Sequence, residues 1–167
     1  MTAAVATLRT WKFRWDQAQR RHAWVRWATD MAWFAAIFIG VMAWQTRDHV
    51  RGTAPAFEAS LLGGGTVASG TLRGKPVVLA FWAPWCSVCK QESPNIDALH
   101  AQLGESAHVL SVAAGYRDLS EVRAYVAQQG VKVPVLLGGD AMAEAYRVQA
   151  YPTVYFLDAG GNISGSV

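Results

Sequence analysis

Residues 76–82, PVVLAFW, form a continuous apolar run rich in residues that favour β structure. A strand with one exposed face alternates polar and apolar residues, whereas an uninterrupted apolar run of this length is typical of a strand buried on both faces. The run therefore predicts a central strand in a sheet that is covered on both sides.

The rest of the chain after residue 56 alternates between extended and helical patterns. The predicted elements are a short hairpin within 57–76, a helix from Cys86 or Ser87 to about Leu103, a strand at 108–115, a helix at 118–129, an extended segment at 133–139, a short helix at 140–148, and strands at 153–158 and 163–167. Asp118 and Glu121 resemble a capping box, and Gly130 is a stop signal. This order predicts an α/β sheet with parallel strands first and an antiparallel pair last.

The only two cysteines of the chain, Cys86 and Cys89, follow the buried strand and are separated by two residues. A structural zinc site needs four ligands, and no histidine stands at ligand spacing to this pair, so no metal site is assigned. A purely structural disulfide would close a very short loop, which gains little. Two thiolates are soft ligands that can hold Cu(I). Redox chemistry fits the position of the pair best.

A cysteine at the first turn of a helix meets unpaired backbone N–H groups and the positive end of the helix dipole. These favour the thiolate at Cys86, and Lys90 in the same turn adds positive charge. Cys89 lies one turn further in and is placed to attack a mixed disulfide formed by Cys86. The predicted roles are nucleophile for Cys86 and resolving cysteine for Cys89.

The N-terminal part of the chain contains an uncharged apolar run at 31–44, which its flanks extend to 27–46 with Asp30 as the one charge. About 20 such residues suffice to cross a bilayer. Arg26 can pair with Asp30 one helical turn later, and tryptophans stand near both ends of the run, where aromatic belts form. The run predicts a retained transmembrane anchor, and no small-residue cleavage site follows it.

The positive charge is concentrated before this anchor. Residues 1–51 contain eight Lys/Arg and three acids, a net charge of +5, whereas residues 52–167 contain seven Lys/Arg and nine acids, a net charge of −2. The latter part therefore offers no footprint for nucleic acid. Six cations precede the anchor and only Arg47 and Arg51 follow it closely, which predicts a cytoplasmic segment at 1–26, a linker at 47–56 and an external domain at 57–167. Residues 9–22 form either a helix on the inner membrane surface or a solvated basic tail.

Two motifs in the last two thirds of the chain resemble a known family. FWAPWCSVCKQESP is similar to the W-x-x-W-C-x-x-C-K stretch of thioredoxin-fold proteins, and the lead-in LRGKPVVLAFWAPWC with Glu92 and Pro94 resembles the membrane-anchored, extracytoplasmic TlpA/ResA-like branch. Within that branch it looks most like the ScsD (suppressor of copper sensitivity) type. YPTVYFLDAGG at 151–161 resembles the segment in which the family has a cis-proline, here Pro152.

The resemblance implies a bacterial inner-membrane, single-pass protein with a periplasmic thioredoxin-like domain. The implied activity is protein thiol–disulfide exchange in the reductive direction, with no cofactor beyond a redox-active Cys86–Cys89 disulfide. The implied partners are protein substrates, a membrane reductase that supplies electrons, and the lipid bilayer. Beside the cysteines, the implied site residues are Trp85, Tyr151 and Pro152 in the substrate groove, flanked by Trp82, Pro84, Ser87, Val88 and Lys90.

The chain departs from the family pattern in three places. Ala80 stands where thioredoxin has a buried aspartate, Ser87 and Val88 provide no proline between the cysteines, and no C-terminal helix follows the last strand. Because strand residues alternate, Val154 and Phe156 are expected on one face and Tyr155 and Leu157 on the other, which leaves one face exposed if the chain is a truncated fragment.

Two other functions compete with disulfide exchange. A Cu(I)-binding chaperone would use the same two thiolates. A thiol peroxidase would need an activating threonine and arginine near its cysteine, and the position three residues before Cys86 is Ala83.

Overall fold

A computed structural model of the protein describes residues 27–42 and 52–167, and divides the chain into two units, Met1–Asp48 and His49–Val167. Of the first unit, residues 27–42 are helical throughout (α1), and all their side chains are exposed, among them Trp27, Phe34 and Phe38. Among the helices in the two described ranges, none combines the length and the apolar character needed to cross a bilayer. The basic segment 1–26, the end of the predicted anchor 27–46 and the first half of the linker 47–56 lie outside the described residues.

The second unit alternates strands and helices. Its elements are β1 (Gly52–Thr53), β2 (Glu58–Ser60), β3 (Thr66–Ala68), a 3-10 turn (Ser69–Leu72), β4 (Val77–Trp82), α2 (Ser87–Leu103), a 3-10 turn (Gly104–Ser106), β5 (His108–Ala113), α3 (Leu119–Gln129), β6 (Val135–Leu137), α4 (Gly139–Ala145), β7 (Thr153–Leu157) and β8 (Asn162–Ser166). The predicted elements are confirmed in type and order.

Six strands of residues 52–167 form one mixed sheet in the order β1-β8-β7-β4-β5-β6. β4 is parallel to β5, β5 is parallel to β6, and β7 runs antiparallel to both β4 and β8. This confirms the prediction of parallel strands followed by an antiparallel pair. β2 and β3 form the predicted hairpin as a separate two-stranded sheet.

The strand β4 is buried over its whole length, as its apolar run predicts. On one face, Leu79 and Phe81 pack in a cluster with Tyr146 and Tyr155. On the other face, Val78 packs in a cluster with residues of α2, and Trp82 packs with the two cysteines. The C-terminal end of β4, where the redox motif begins, is therefore held rigidly from both sides.

The start of α3 differs from the predicted capping box. The Asp118 carboxylate accepts a hydrogen bond from the Ser120 N–H, as an N-cap should. The Glu121 carboxylate does not return to Asp118; it accepts from the backbone N–H and the guanidinium of Arg117 instead. The exposed Arg117 side chain provides a charged donor within reach, and a charged donor makes the stronger bond.

Residues 52–53, assigned to the linker by the sequence, form the short edge strand β1. They pair with β8 in the register Gly52↔Ile163 and Thr53↔Asn162. The edge of β8 presents unpaired backbone groups, and β1 satisfies part of them. Residues 52–53 are therefore part of the sheet.

The strand β7 shows the predicted alternation. Tyr155 and Leu157 are buried in the cluster around Tyr146, whereas Val154 is half-buried and Phe156 is 37% exposed on the opposite face. Within the described residues no helix follows β8. The outer part of the Val154 and Phe156 face is open to solvent.

Candidate active site

The two cysteines form a disulfide at the start of α2, with their Cα atoms 5.3 Å apart. Cys86 is the N-cap residue of the helix, and its Sγ accepts a hydrogen bond from the Cys89 backbone N–H at 3.1 Å. Cys86 is 6% exposed and Cys89 is 3% exposed. The helix therefore positions Cys86 at its end and Cys89 one turn inside, as the sequence predicts.

The N-cap position gives the Cys86 sulfur an electrostatic advantage. An N-cap side chain normally contributes an oxygen to the free N–H groups of the first turn, and here the sulfur takes that place. When the disulfide opens, the same N–H group and the helix dipole stabilise negative charge on Cys86. Lys90 is exposed in this turn, and Ser87 and Val88 are exposed between the cysteines.

A cis peptide bond between Tyr151 and Pro152 lies against the disulfide, which confirms the isomer implied by the motif. The Cys86 Sγ is 3.5 Å from the Tyr151 carbonyl oxygen. The structure thus brings together residues that are 65 positions apart in the chain. In the dithiol form, a Cys86 thiol can donate to this oxygen.

Trp85 is the most exposed aromatic residue beside the disulfide, with 68% of its surface accessible. Its indole Nε1 donates a hydrogen bond to the Gly115 carbonyl oxygen at 2.8 Å. Its ring meets the Tyr151 ring edge-on, with centroids 5.8 Å apart and planes 76° apart. Trp85 and Tyr151 therefore form one aromatic surface next to Cys86, with Pro84 half-buried before them.

Trp82 flanks the cysteines from the inside. It is buried, stacks on Tyr125 of α3 at a centroid distance of 4.0 Å, and donates from Nε1 to the Ser111 hydroxyl. Trp82 shares a packed cluster with Cys86 and Cys89. Trp82 therefore packs on the buried side of the disulfide, whereas Trp85 faces solvent.

A cleft of about 390 Å³ opens behind Cys89 and continues along the exposed face of β7. Its lining is mostly apolar and includes Trp82, Ile96, Pro152, Val154 and Phe156. Within the part of the chain that the structure describes, Glu92 provides the one carboxylate among the lining residues. The inner sulfur therefore borders an apolar space with a single acidic side chain.

The position of the missing buried aspartate lies in this cleft. Ala80 pairs with Ser111 in the parallel register of β4 and β5, and both residues line the cleft. A hydroxyl, rather than a carboxylate, is thus the polar group next to Ala80. The Ser111 hydroxyl accepts from the Trp82 indole and so contributes to holding Trp82 in place.

The phenols around the site stay protonated well above neutral pH. Burial raises the pKa of Tyr151, and the negative charge of Asp140 raises it further. Burial also raises the pKa of Tyr125, although a hydrogen bond with Ser93 opposes this effect. These two rings therefore act as neutral aromatic surfaces at physiological pH.

Four residues of the site were not predicted from the sequence: Ser111, Gly115, Tyr125 and Asp140. A signal existed for Gly115, because it follows β5 and the carboxyl ends of neighbouring parallel strands meet at one edge of a sheet. Nothing in the local sequence distinguishes Asp140 from any other acid in the first turn of a helix. Its position depends on how α4 packs.

The described ranges contain no group of three or more His, Cys, Asp or Glu side chains arranged to hold a metal ion. The two sulfurs of the disulfide are bonded to each other. The chemistry that this arrangement supports directly is the opening and closing of that bond.

Comparison with known proteins agrees with this geometry. Residues 50–166 match the AhpC/TSA family. The chain is 34% identical over 112 residues to the thioredoxin-like protein YneN of Bacillus subtilis, covering 66% of each chain. It is 30% identical over 129 residues to the thiol–disulfide oxidoreductase ResA of Geobacillus kaustophilus, covering 76% of this chain and 74% of that protein.

Solved structures give the same result. A secreted disulfide oxidoreductase of Mycobacterium tuberculosis, homologous to Escherichia coli DsbE, superposes with a TM-score of 0.59 at 28% identity, over 66% of this chain and 81% of that one. A putative thioredoxin from Neisseria meningitidis gives a TM-score of 0.62 at 32% identity, over 71% and 80% of the two chains. The chain therefore belongs to the AhpC/TSA family, as a thioredoxin-like thiol–disulfide oxidoreductase similar to ResA and YneN.

Proposed function

We propose that the protein reduces disulfide bonds of other proteins on the outer side of a bacterial inner membrane, to which residues 27–46 anchor it. The observation that carries the exchange chemistry is the placement of Cys86, which caps α2 and lies 3.5 Å from the carbonyl oxygen of the cis Tyr151–Pro152 peptide. This places an activated sulfur beside an aromatic surface that faces solvent.

The reaction begins from the reduced protein. The Cys86 thiolate attacks one sulfur of a substrate disulfide, forms a mixed disulfide and releases the other substrate sulfur as a thiolate, which takes up a proton. The Cys89 thiol then loses its proton and attacks the Cys86 sulfur, which releases the second substrate thiol. The substrate gains two electrons and two protons, and the protein is left with the Cys86–Cys89 disulfide seen in the structure.

A reductase in an oxidising compartment needs a continuing supply of electrons, because its dithiol would otherwise accumulate as a disulfide. We infer a membrane-embedded thiol reductase as the donor, which would act on the same disulfide. The Lys/Arg excess before residue 27 supports an orientation with the N-terminus in the cytoplasm and the disulfide outside, since positively charged segments beside a membrane span stay in the cytoplasm. We place the protein with the ScsD type on its motifs around Cys86.

The reduction potential of the Cys86–Cys89 couple tests the direction of exchange. A value near that of thioredoxin, about −270 mV, is expected for a reductant, whereas a value near about −120 mV would make the protein an oxidant. The full chain in detergent should also reduce insulin when a dithiol is supplied, and the Cys86→Ser variant should not.

A copper titration of the anaerobic, reduced chain separates exchange from Cu(I) delivery. We expect insulin reduction that depends on Cys86 whether or not the reduced pair also binds Cu(I), because two thiolates can hold this soft ion. Tight, stoichiometric Cu(I) binding without insulin reduction would favour the chaperone function instead.

The location is tested independently with reporter fusions after Arg51. A reporter that is active only in the periplasm should be active at this point, and one that is active only in the cytoplasm should be silent. The opposite result would place the disulfide in the cytoplasm and contradict the proposed compartment without affecting the exchange chemistry.

A further inference from the structure

A hydrogen-bonded connection links α4 to the exposed tryptophan at the active site. The Asp140 carboxylate, in the first turn of α4, accepts a hydrogen bond at 3.0 Å from the Gly115 backbone N–H. The carbonyl of the same residue, Gly115, accepts the Trp85 indole N–H at 2.8 Å. Gly115 thus donates to Asp140 through its N–H and accepts from Trp85 through its carbonyl oxygen.

Gly115 has a backbone conformation that favours glycine, and it lies beside the aromatic surface. Its φ of +60° lies in the left-handed region, and an added Cβ would stand 3.4 Å from atoms of Ala83, Trp85 and Tyr151. Gly115 therefore lies close to both members of the aromatic surface. A shift of Gly115 would move the acceptor of the Trp85 indole bond.

Trp85 depends on these contacts for its orientation. At 68% exposure, the surrounding core does not fix its side-chain torsions. The interactions that orient it are the bond to Gly115 and the edge-on contact with Tyr151. An exposed tryptophan that is fixed before binding offers a large contact area at low entropic cost, as pre-organised binding surfaces do.

We propose that Asp140 is a positioning residue for protein disulfide exchange: by holding Gly115, it fixes the Trp85 indole in the orientation that receives the substrate chain beside Cys86. The inference rests on the proposed role of Trp85 and Tyr151 as the substrate-contact surface. Asp140 does not touch the sulfurs and takes no part in electron or proton transfer.

The electrostatic surroundings agree with this placement. Burial, and after it the charge of Asp140, raises the pKa of Tyr151, so the carboxylate lies close enough to interact with the Tyr151 phenol. Its hydrogen bond to Gly115 is accessible to solvent, which limits its strength. Removal of the bond is expected to lower kcat/KM for a protein disulfide by about three- to tenfold, the range of a single hydrogen bond.

The test is a double-mutant cycle in the full chain. Asp140→Ala should raise KM for a protein disulfide with little change in kcat, and should have much less effect on a small disulfide such as 5,5′-dithiobis(2-nitrobenzoate), which needs no extended surface. Trp85→Phe keeps the ring but removes the N–H donor. In that background Asp140→Ala should have no further effect, because its influence passes through the indole bond.

Two controls separate this role from a general effect on α4. Asp140→Asn keeps an oxygen that can accept from Gly115 and should restore most of the activity. Glu144→Ala removes another exposed acid of the same helix and should leave KM unchanged. The Trp85 indole N–H resonance, assigned by its loss in Trp85→Phe, should shift in Asp140→Ala but not in Glu144→Ala.

Each outcome is decisive. An equal loss from Asp140→Ala in the wild-type and Trp85→Phe backgrounds, or no loss in the wild type, overturns the positioning role. If Trp85→Phe and Trp85→Ala both leave KM for a protein disulfide unchanged, the substrate-contact surface itself is wrong. In that case insulin reduction that still depends on Cys86 would keep the exchange function intact, so the two failures are distinguishable.

Discussion

The backbone N–H of Cys89 donates a hydrogen bond to the Cys86 sulfur at 3.1 Å, although the same two residues are already joined through their sulfur atoms. This second link depends on the start of the helix and not on the S–S bond, so we expect it to persist when the disulfide opens. The helix would then hold the nucleophilic sulfur in place in both redox states. The asymmetry of the two cysteines follows from it, since Cys86 is the N-cap residue and receives this donor from the first turn.

We expect this asymmetry in trapping experiments. Cys89→Ser should accumulate mixed disulfides between Cys86 and its substrates, because the resolving thiol is absent. Cys86→Ser should accumulate few, because Cys89 lies one turn inside the helix and lacks the N-cap position that favours the thiolate. Non-reducing gels of the two variants after acid quenching measure this. Equal trapping by both variants would contradict the assigned roles.

The open face of β7 should bind a hydrophobic dye. Phe156 is 37% exposed and lies with Val154 along the apolar cleft. Phe156→Ser should lower dye fluorescence of the folded chain and lower the free energy of unfolding by about 1–2 kcal/mol, because the ring is only partly buried. Leu157→Ala, on the buried face of the same strand, should cost about 2–5 kcal/mol instead. Undiminished dye binding by Phe156→Ser would show that the dye binds elsewhere.

Gly138 marks a tight contact between the end of β6 and the core. An added Cβ would stand 2.6 Å from a methyl group of Val112 and 2.9 Å from the Met142 sulfur. Gly138→Ala should therefore destabilise the domain by about 1–3 kcal/mol through overpacking. Backbone strain does not contribute, because the φ of −74° is open to any residue. Gly70→Ala, where no atom lies within 4 Å of the added Cβ, is the matched control and should change stability little. Denaturant unfolding of both variants measures the difference.

The buried phenol of Tyr146 predicts a loss of stability at alkaline pH. Burial, with a contribution from Tyr155, raises the pKa of Tyr146 to about 12. The unfolded phenol ionises near pH 10, so the contribution of the buried neutral phenol to the free energy of unfolding is complete below that pH. This contribution is lost as the pH rises from about 10 to 12, by up to about 2 kcal/mol. The midpoint of urea unfolding should fall over this range, and Tyr146→Phe should flatten that part of the profile. An unchanged slope in Tyr146→Phe would show that another group is responsible.

Local sequence patterns sufficed to predict the redox motif and the strands beside it. An unbroken apolar run fixes β4 as a buried strand, and the cysteine pair directly after it can only lie at the strand–helix junction. The alternation in β7 places Tyr155 inward and Phe156 outward, as expected from the two-residue period of a strand. These features depend on the backbone conformation of a few consecutive residues, and the side chains of those same residues determine that conformation.

Tertiary packing decided the contacts that complete the site. The bond from Trp85 to Gly115 spans 30 positions and the bond from Gly115 to Asp140 spans 25, and no local pattern connects either pair. The same holds for the Trp82 bond to Ser111 and for the pairing of Gly52 with Ile163, which adds β1 to the sheet. Such partners are selected by which backbone groups and side chains meet once the sheet has formed. The sequence by itself therefore determined where the sulfur chemistry lies, and only the folded chain decided what holds the surface around it.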